Sequence, residues 1–127
     1  MICDSNIIIY AAEPGDALCL PYVQRADAMI ASVTRIEVLG FPKFGELSPP
    51  RQAQLLALLA STTELVLDEE IIRQTIQLRQ QKKMKLGDAI IAATALEYDV
   101  PLVTRNAGDF KHIPNLRVIN PFAKNEA

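Results

Sequence analysis

The stretch that decides the fold is residues 88–104, DAIIAATALEYDVPLVT. Its first eleven residues, 88–98, are apolar or small on nearly every side of a helix, so that helix must be enclosed by protein rather than laid on a surface. The last four, PLVT at 101–104, form a short apolar run suited to a strand buried on both faces. An enclosed helix followed at once by an enclosed strand belongs to a parallel sheet with helices packed on it.

The rest of the chain repeats that rhythm. Met1-Ile2-Cys3 is an apolar run ending at Asp4, and residues 7–12 have a helical pattern. Glu13-Pro14-Gly15-Asp16 interrupts it, because proline cannot continue the ladder. A second helix is expected over 17–26, a second strand over 28–33 (AMIASV), and a helix opened by Thr34 and running to Phe41. Ser48-Pro49 reads as a helix start, an N-cap hydroxyl before proline at the first position, leading an amphipathic helix over 52–60. A third strand is expected at 63–67 (TELVL), then a helix capped by Asp68 and running to about Lys83. A helical turn near 109–111 and a last strand at 116–119 (LRVI) complete the pattern, with fraying expected at 124–127. The reading is a single domain over 1–127, a three-layer α/β/α fold with a parallel sheet.

Composition narrows the function classes. A chain of 127 residues that is 50% hydrophobic and 22% charged builds one core and is not a disordered tail. The longest apolar stretch, 7–12, is far too short to span a bilayer, so no membrane partner is expected. Asp4 with no basic residue before it speaks against a secretory signal. With 13 basic and 15 acidic side chains the net charge is −2, which excludes coating by nucleic acid through bulk charge but leaves room for a local basic patch. Cys3 and Cys19 lack zinc-site spacing and are too few for a disulfide framework, so they read as small core residues in a reduced, cytoplasmic protein. His112 is the only histidine. A multi-histidine centre is therefore impossible, and hydrolytic chemistry has to run on carboxylates.

Four acidic residues hold equivalent positions in this layout. Asp4 ends the first strand, Glu37 follows the second by one helical turn, Asp88 opens the enclosed helix, and Asp109 follows the fourth strand. The carboxyl ends of parallel strands form one rim where ligands bind, so all four can meet there. Each also has a plain structural reading. Aspartate is a favoured cap, and Thr34-Arg35-Ile36-Glu37 fits a capping box. A cap contributes about 1 kcal/mol. Two bare carboxylates ~4 Å apart repel by ~4 kcal/mol at an effective dielectric of ~20. If the four converge, protons or a cation must neutralise them, and an all-oxygen donor set suits Mg²⁺ or Mn²⁺. Such ions act on phosphate esters by orienting a water and stabilising charge on the phosphorus oxygens. Cations nearby would attract an anionic substrate. Arg35 and Arg105 flank Glu37 and Asp109, and Lys85 stands three residues before Asp88. These three are the candidates for phosphate contact, while Lys82 and Lys83 read as a solvated helix end placed well for the helix dipole.

Several motifs in register are similar to those of PIN-domain ribonucleases, and to VapC-type toxins among them. Asp4-Ser5-Asn6-Ile7-Ile8 resembles their opening motif, and Ser32-Val33-Thr34-Arg35-Ile36-Glu37-Val38 the second acidic motif. Residues 86–95 (LGDAIIAATA) resemble the third, and 102–110 (LVTRNAGDF) with 113–121 beyond resemble the closing segment. The resemblance covers nearly the whole chain. It implies strand order 3-2-1-4-5 and a Mg²⁺- or Mn²⁺-dependent endoribonuclease toxin acting on structured RNA (tRNA or ribosomal RNA), restrained by an antitoxin. It also implies a homodimer, and the apolar 55–59 stretch with Phe41 and Phe44 offers contact surface. Asp4, Glu37 and Asp88 match the family's core acids. At the fourth position Asn106 stands where many relatives carry an acid, and Asp109 is the alternative. Ser5, Thr104 and Asn106 are the supporting residues. Asn115 replaces the glycine usual before Leu116.

Two other functions compete. A phosphatase using Asp4 as nucleophile would want a second aspartate two residues on, where this chain has Asn6. A catalytically silent binding module would have no need of all three core acids.

Overall fold

The computed structural model describes residues 1–123, and the fraying expected at 124–127 lies outside them. Five strands form one sheet: β1 (Ile2–Cys3), β2 (Met29–Ala31), β3 (Thr63–Leu65), β4 (Leu102–Val103) and β5 (Val118–Ile119). All pairings are parallel, in the order β3-β2-β1-β4-β5 that the family resemblance implies.

Alternation places these short strands. Ile2, Ala31 and Leu102 join one apolar cluster, whereas their neighbours Cys3, Ile30 and Val103 join the other. Side chains alternate along a strand, so runs that are apolar throughout must be covered on both faces. On the first face α1 (Ser5–Ala11), α2 (Leu20–Val23) and α4 (Pro49–Ser61) contribute Ile7, Ile8, Val23, Leu55, Leu58 and Leu59. On the second, α5 (Glu69–Gln81) and α6 (Leu86–Tyr98) contribute Ile71, Leu78 and the run 90–93. Between them α3 (Ser32–Leu39) packs against α1 and α6. Helix α6 is the enclosed helix of the 88–104 stretch. Its alanines at 89, 92, 93 and 95 are buried, and small side chains let its backbone lie close to the sheet. It ends at Asp99 in the left-handed region (φ 52°), two residues before Pro101.

Several boundaries differ from expectation for identifiable reasons. The helix expected over 17–26 is one turn, Leu20–Val23, because the Asp16 carboxylate accepts the N–H groups of Cys19 (3.1 Å) and Leu20 (2.8 Å) and delays its start. The second strand stops at Ala31 and Ser32 already belongs to α3, so Thr34 sits inside that helix and the Thr34–Glu37 capping box does not form. Asp88 is the third residue of α6 rather than its opener. Ser48 stands at the start of α4, but its side chain makes no capping bond. The turn expected at 109–111 is a 3₁₀ turn over Ala107–Phe110. Asn115 adopts φ 68°, a left-handed conformation that asparagine tolerates.

Within the apolar 55–59 stretch Leu55, Leu58 and Leu59 are core residues with Phe44 packed against their cluster, while Leu56 stays 49% exposed. Further exposed apolar groups lie elsewhere. Ile36 (69% exposed) and Leu86 (55%) flank a groove of about 440 Å³ whose walls include Val33, Leu65, Leu67 and Ile90. Among the described residues no helix is long and apolar enough to cross a membrane.

Candidate active site

The course of the chain reverses beside β1. Connections run from β1 towards β2 and β3 on one side, while β4 and β5 lie on the other, so the crevice between the ends of β1 and β4 is a topological switch point. Asp4 follows β1 and Thr104 follows β4 at that crevice. Both are locked to the sheet: the Asp4 N–H donates to the Val103 carbonyl (3.1 Å) and the Thr104 N–H to that of Ile119 (2.9 Å).

Asp4 is buried, and its carboxylate accepts the Ile7 N–H at 2.9 Å, capping α1. The fully buried Thr104 accepts the Asn106 N–H with its hydroxyl oxygen at 3.1 Å, leaving the hydroxyl proton to face Asp4. Burial drives the Asp4 carboxyl above its usual proton affinity. The Thr104 hydroxyl and the Ile7 and Asn6 N–H groups oppose this, while the charge of Asp88 reinforces it, and the outcome is a raised pKa. Glu37 is also raised, by burial of its carboxylate and by Asp88 and Asp4, against the Ser5 hydroxyl and Lys85. Asp88 is raised by burial and then by Asp109, against Lys85.

These couplings link Glu37, Asp4 and Asp88 to one another and add Asp109 beyond Asp88, a row of acids with Asp109 at its outer end. It is not a tight knot: among the described residues no three His, Cys, Asp or Glu side chains are grouped closely enough to grip one metal ion. Of the four, only Asp4 caps a helix with its side chain. Glu37 lies deep in α3, the Asp88 carboxylate does not cap the first turn of α6 in which it stands, and Asp109 sits inside its 3₁₀ turn rather than before it. The structural roles that could have accounted for these three acids are therefore not the ones they perform. Gly108 does not turn the chain through a positive φ, since among the glycines only Gly15 has one. The 3₁₀ turn itself carries Asp109 to the cavity.

The basic candidates divide. Arg35 turns away from Glu37 and forms a two-pronged pair with Glu64 (2.7 Å and 3.1 Å). Arg105 donates to the Tyr10 hydroxyl at 3.2 Å and stacks over the Phe122 ring with its central carbon 4.5 Å from the centroid. Lys85 stays at the site. A cavity of about 410 Å³ is lined by Lys82, Lys83, Met84, Lys85, Asp88, Gly108 and Asp109, so Lys82 and Lys83, exposed at the end of α5 as expected, also share a wall with Asp88 and Asp109.

Gly87 escaped the sequence reading. A Cβ placed there would lie 2.6 Å from Glu37 Oε2, so the Glu37 carboxylate rests directly on the glycine. The signal was present, because glycine costs about 1 kcal/mol relative to alanine inside a helix and the positions that follow are rich in alanine and isoleucine. Other nucleophiles are ruled out by their surroundings. Both ring nitrogens of His112 are enclosed without a hydrogen-bond partner among the described residues, which excludes a triad built on it. Cys3 and Cys19 are buried free thiols, pushed up to about 12 and about 11 mainly by burial, so they stay protonated.

A parallel sheet in this order, with a carboxylate at the switch point and further acids beside it, defines a class of open α/β domain, in which the crevice at the strand ends is where ligands bind. The PIN domain family model matches residues 1–116, and the chain belongs to that family. A toxin–antitoxin complex from Klebsiella pneumoniae is similar at 30% identity over 97% of this chain and 98% of that one, with a TM-score of 0.77. VapBC2 from Rickettsia felis, bound to a promoter DNA fragment, is similar in fold at 21% identity over 94% and 96%, with a TM-score of 0.78. VapBC-1 from nontypeable Haemophilus influenzae is similar at 20% identity over 96% and 98%, with a TM-score of 0.77. No curated protein sequence matches the chain.

Proposed function

We propose that the chain is the toxin of a toxin–antitoxin pair, an endoribonuclease that cuts structured RNA (tRNA or ribosomal RNA) with the help of Mg²⁺ or Mn²⁺. Membership of the PIN family supports a nuclease, and the similarity to a toxin–antitoxin complex supports an antitoxin partner. The observation that carries the reading is the carboxylate row itself. Three of its acids hold protons more tightly than usual, chiefly through burial and in part through neighbouring carboxylates of the row, and a divalent cation offsets the repulsion between carboxylates as protons do.

The donor set fits a hard ion bound through few protein ligands. Since no three acids close on one point among the described residues, one or two carboxylates would hold the ion and water would complete its shell, the manner of Mg²⁺. Asp4 and Asp88 would hold it, with Glu37 beside them and Asp109 further out. When bound, the ion supplies a water of lowered pKa and charge stabilisation at the phosphate. The protein's own part is positional. The sheet end fixes Asp4, the Thr104 and Ser5 hydroxyls orient Asp4 and Glu37, and Lys85 offsets negative charge beside Asp88 and Glu37.

The antitoxin would gain most from covering the apolar groove between Ile36 and Leu86, and a second copy in a homodimer would meet the 55–59 stretch through its exposed Leu56. We assign the protein to the cytoplasm, where its RNA is found. The test is cleavage of tRNA and ribosomal RNA by the purified chain with and without Mg²⁺ or Mn²⁺. Metal-dependent endonucleolytic products are expected. Intact RNA under saturating metal, with a properly folded chain, would overturn the reading in favour of a silent binding module.

A further inference from the structure

We propose that Lys82, Lys83 and Lys85 form one cationic wall that grips the RNA backbone beside the acids; this rests on the nuclease reading above. The four residues 82–85 join α5 to α6 in a short, anchored loop. Its first N–H donates to the Leu78 carbonyl (3.3 Å) and the carbonyl of Lys85 accepts from Ala89 (3.0 Å), so both ends are tied to helices that pack on each other. The backbone is extended at Lys82 and Lys85.

Two adjoining hollows share this loop. One, about 410 Å³, holds Asp88 and Asp109 on its other side, and the second, lined by Arg79, Lys82 and Lys83 among others, continues the positive surface away from the acids. No ion pair among the described residues uses any of the three lysines, in contrast to Arg35, which is held by Glu64. A polyanion approaching a row of carboxylates is repelled unless free cations line its path, and these are the free cations that line it. A role confined to the α5 dipole would not require all three lysines to line the hollow that holds Asp88 and Asp109. A strip of point charges that carries no base-reading side chains matches the phosphodiester backbone of a single-stranded stretch, such as a loop of a structured RNA.

The experiment uses an Asp88→Asn background, which removes a carboxylate proposed for cleavage so that binding is read alone, with a labelled short single-stranded RNA titrated at several salt concentrations. Adding Lys82→Ala and Lys83→Ala together is expected to weaken binding roughly tenfold at low salt, and to make the plot of log affinity against log salt shallower by about 0.7 for each phosphate no longer neutralised. Lys83→Arg, which keeps the charge, is expected to keep the slope, and Lys43→Ala, at a lysine outside both hollows, to leave affinity and slope unchanged. Unchanged affinity and slope in the double variant overturns the proposal, as does failure of the background chain to bind RNA. Displacement of the RNA by millimolar inorganic phosphate also overturns it, giving the wall to a free anion. Lysine-dependent binding by a chain whose wild type does not cleave leaves the wall standing and removes the nuclease reading. Cleavage with lysine-independent binding does the reverse.

Discussion

Asp4 and Asp109 belong to one carboxylate row and are built to different standards. Asp4 is 7% exposed, follows the central strand, and holds the Ile7 N–H at 2.9 Å. Asp109 is exposed on a 3₁₀ turn, and its backbone N–H is tied to the Asn106 carbonyl at 3.0 Å. Its own carboxylate caps nothing. The same split runs through the site as a whole. In the cavity itself Asp88 comes from the enclosed helix and the other lining residues from a loop and a turn, while Asp4 stands at a strand end outside that lining. Rigid elements hold a reacting geometry to fractions of an ångström, while loops supply charge and adapt to a ligand. The comparison therefore favours the proposal that Asp4 and Asp88 carry the chemistry, with Asp109 and the lysines recruiting the ligand.

The most severe way to test that assignment is to remove a charge from the rigid side. Asp88→Asn keeps the shape of the first turn of α6 and deletes one of the two carboxylates proposed to hold the ion. Removing an outer-shell partner alone costs about 10–100-fold in metal affinity or activity. Removing a direct ligand is expected to exceed that, with metal-dependent cleavage falling at least roughly a hundredfold and the chain still folded by circular dichroism. Wild-type rates under saturating Mg²⁺ would move the chemistry elsewhere on the rim.

A subtler break targets Gly87. Alanine there favours the helix by about 1 kcal/mol on propensity alone, yet its Cβ would meet Glu37 Oε2 at 2.6 Å. The side chain of Glu37 can swing aside, so the fold is expected to hold, with thermal stability unchanged or higher and cleavage reduced on the order of tenfold. If this acts through Glu37, combining Gly87→Ala with Glu37→Gln should reduce the rate no further than Glu37→Gln alone. Additive losses would show that Gly87 serves some other contact.

How much of this is legible in the sequence follows the same division. The buried helix at 88–98, the two-faced strands and the acids at strand ends are written in residue type and period, and the sheet order follows from the family motifs. Local hydrogen bonds that override pattern are not legible. Asp16 shortens the helix expected at 17–26, and Ser32 starts α3 early enough to take Thr34 and Glu37 out of the capping box. Direction is hidden as well. Arg35 and Lys85 look alike as cations beside an acid, but Glu64, far off in sequence, holds one and not the other. The resting of Glu37 on Gly87 joins two helices and has no local signature beyond the glycine itself.

On the adaptable side the expected effects shrink. Asp109→Asn removes the outermost charge of the row and should raise the metal concentration for half-maximal cleavage several-fold, with little change in the saturated rate. Asn106→Ala removes an amide from a residue whose backbone N–H, held by Thr104, stays in place, so its metal requirement should barely move. The reverse order would make Asn106 the fourth site residue and leave Asp109 to shape its turn.

The smallest effect is read from stability rather than rate. Asp4, Glu37 and Asp88 all bind protons more tightly in the folded chain than their ordinary values of 3.8, 4.5 and 3.8. The folded state then carries more protons than the unfolded one, so their contribution is fully favourable below the ordinary carboxylate range and is lost as pH rises through the raised values. Glu64 has the opposite sign, since Ser32 and Arg35 lower it, and its contribution is lost on acidification. The sum is consequently a poor test, whereas the difference between wild type and Asp88→Asn isolates one group. Burial and Asp109 outweigh the attraction of the α6 N-terminus for Asp88, as the direction of its shift requires. Without metal, Asp88→Asn should melt a few degrees above wild type near neutral pH, and the gap should close as the pH falls through the ordinary carboxylate range. With Mg²⁺ or Mn²⁺ added the order should invert, because only the ionised aspartate gains from the ion. Thermal melts at several pH values, with chelator and then with metal, check both halves. A wild type that is already the more stable protein at neutral pH without metal would mean that Asp88 sits comfortably among its neighbours, and the electrostatic strain proposed for the rigid side would not exist.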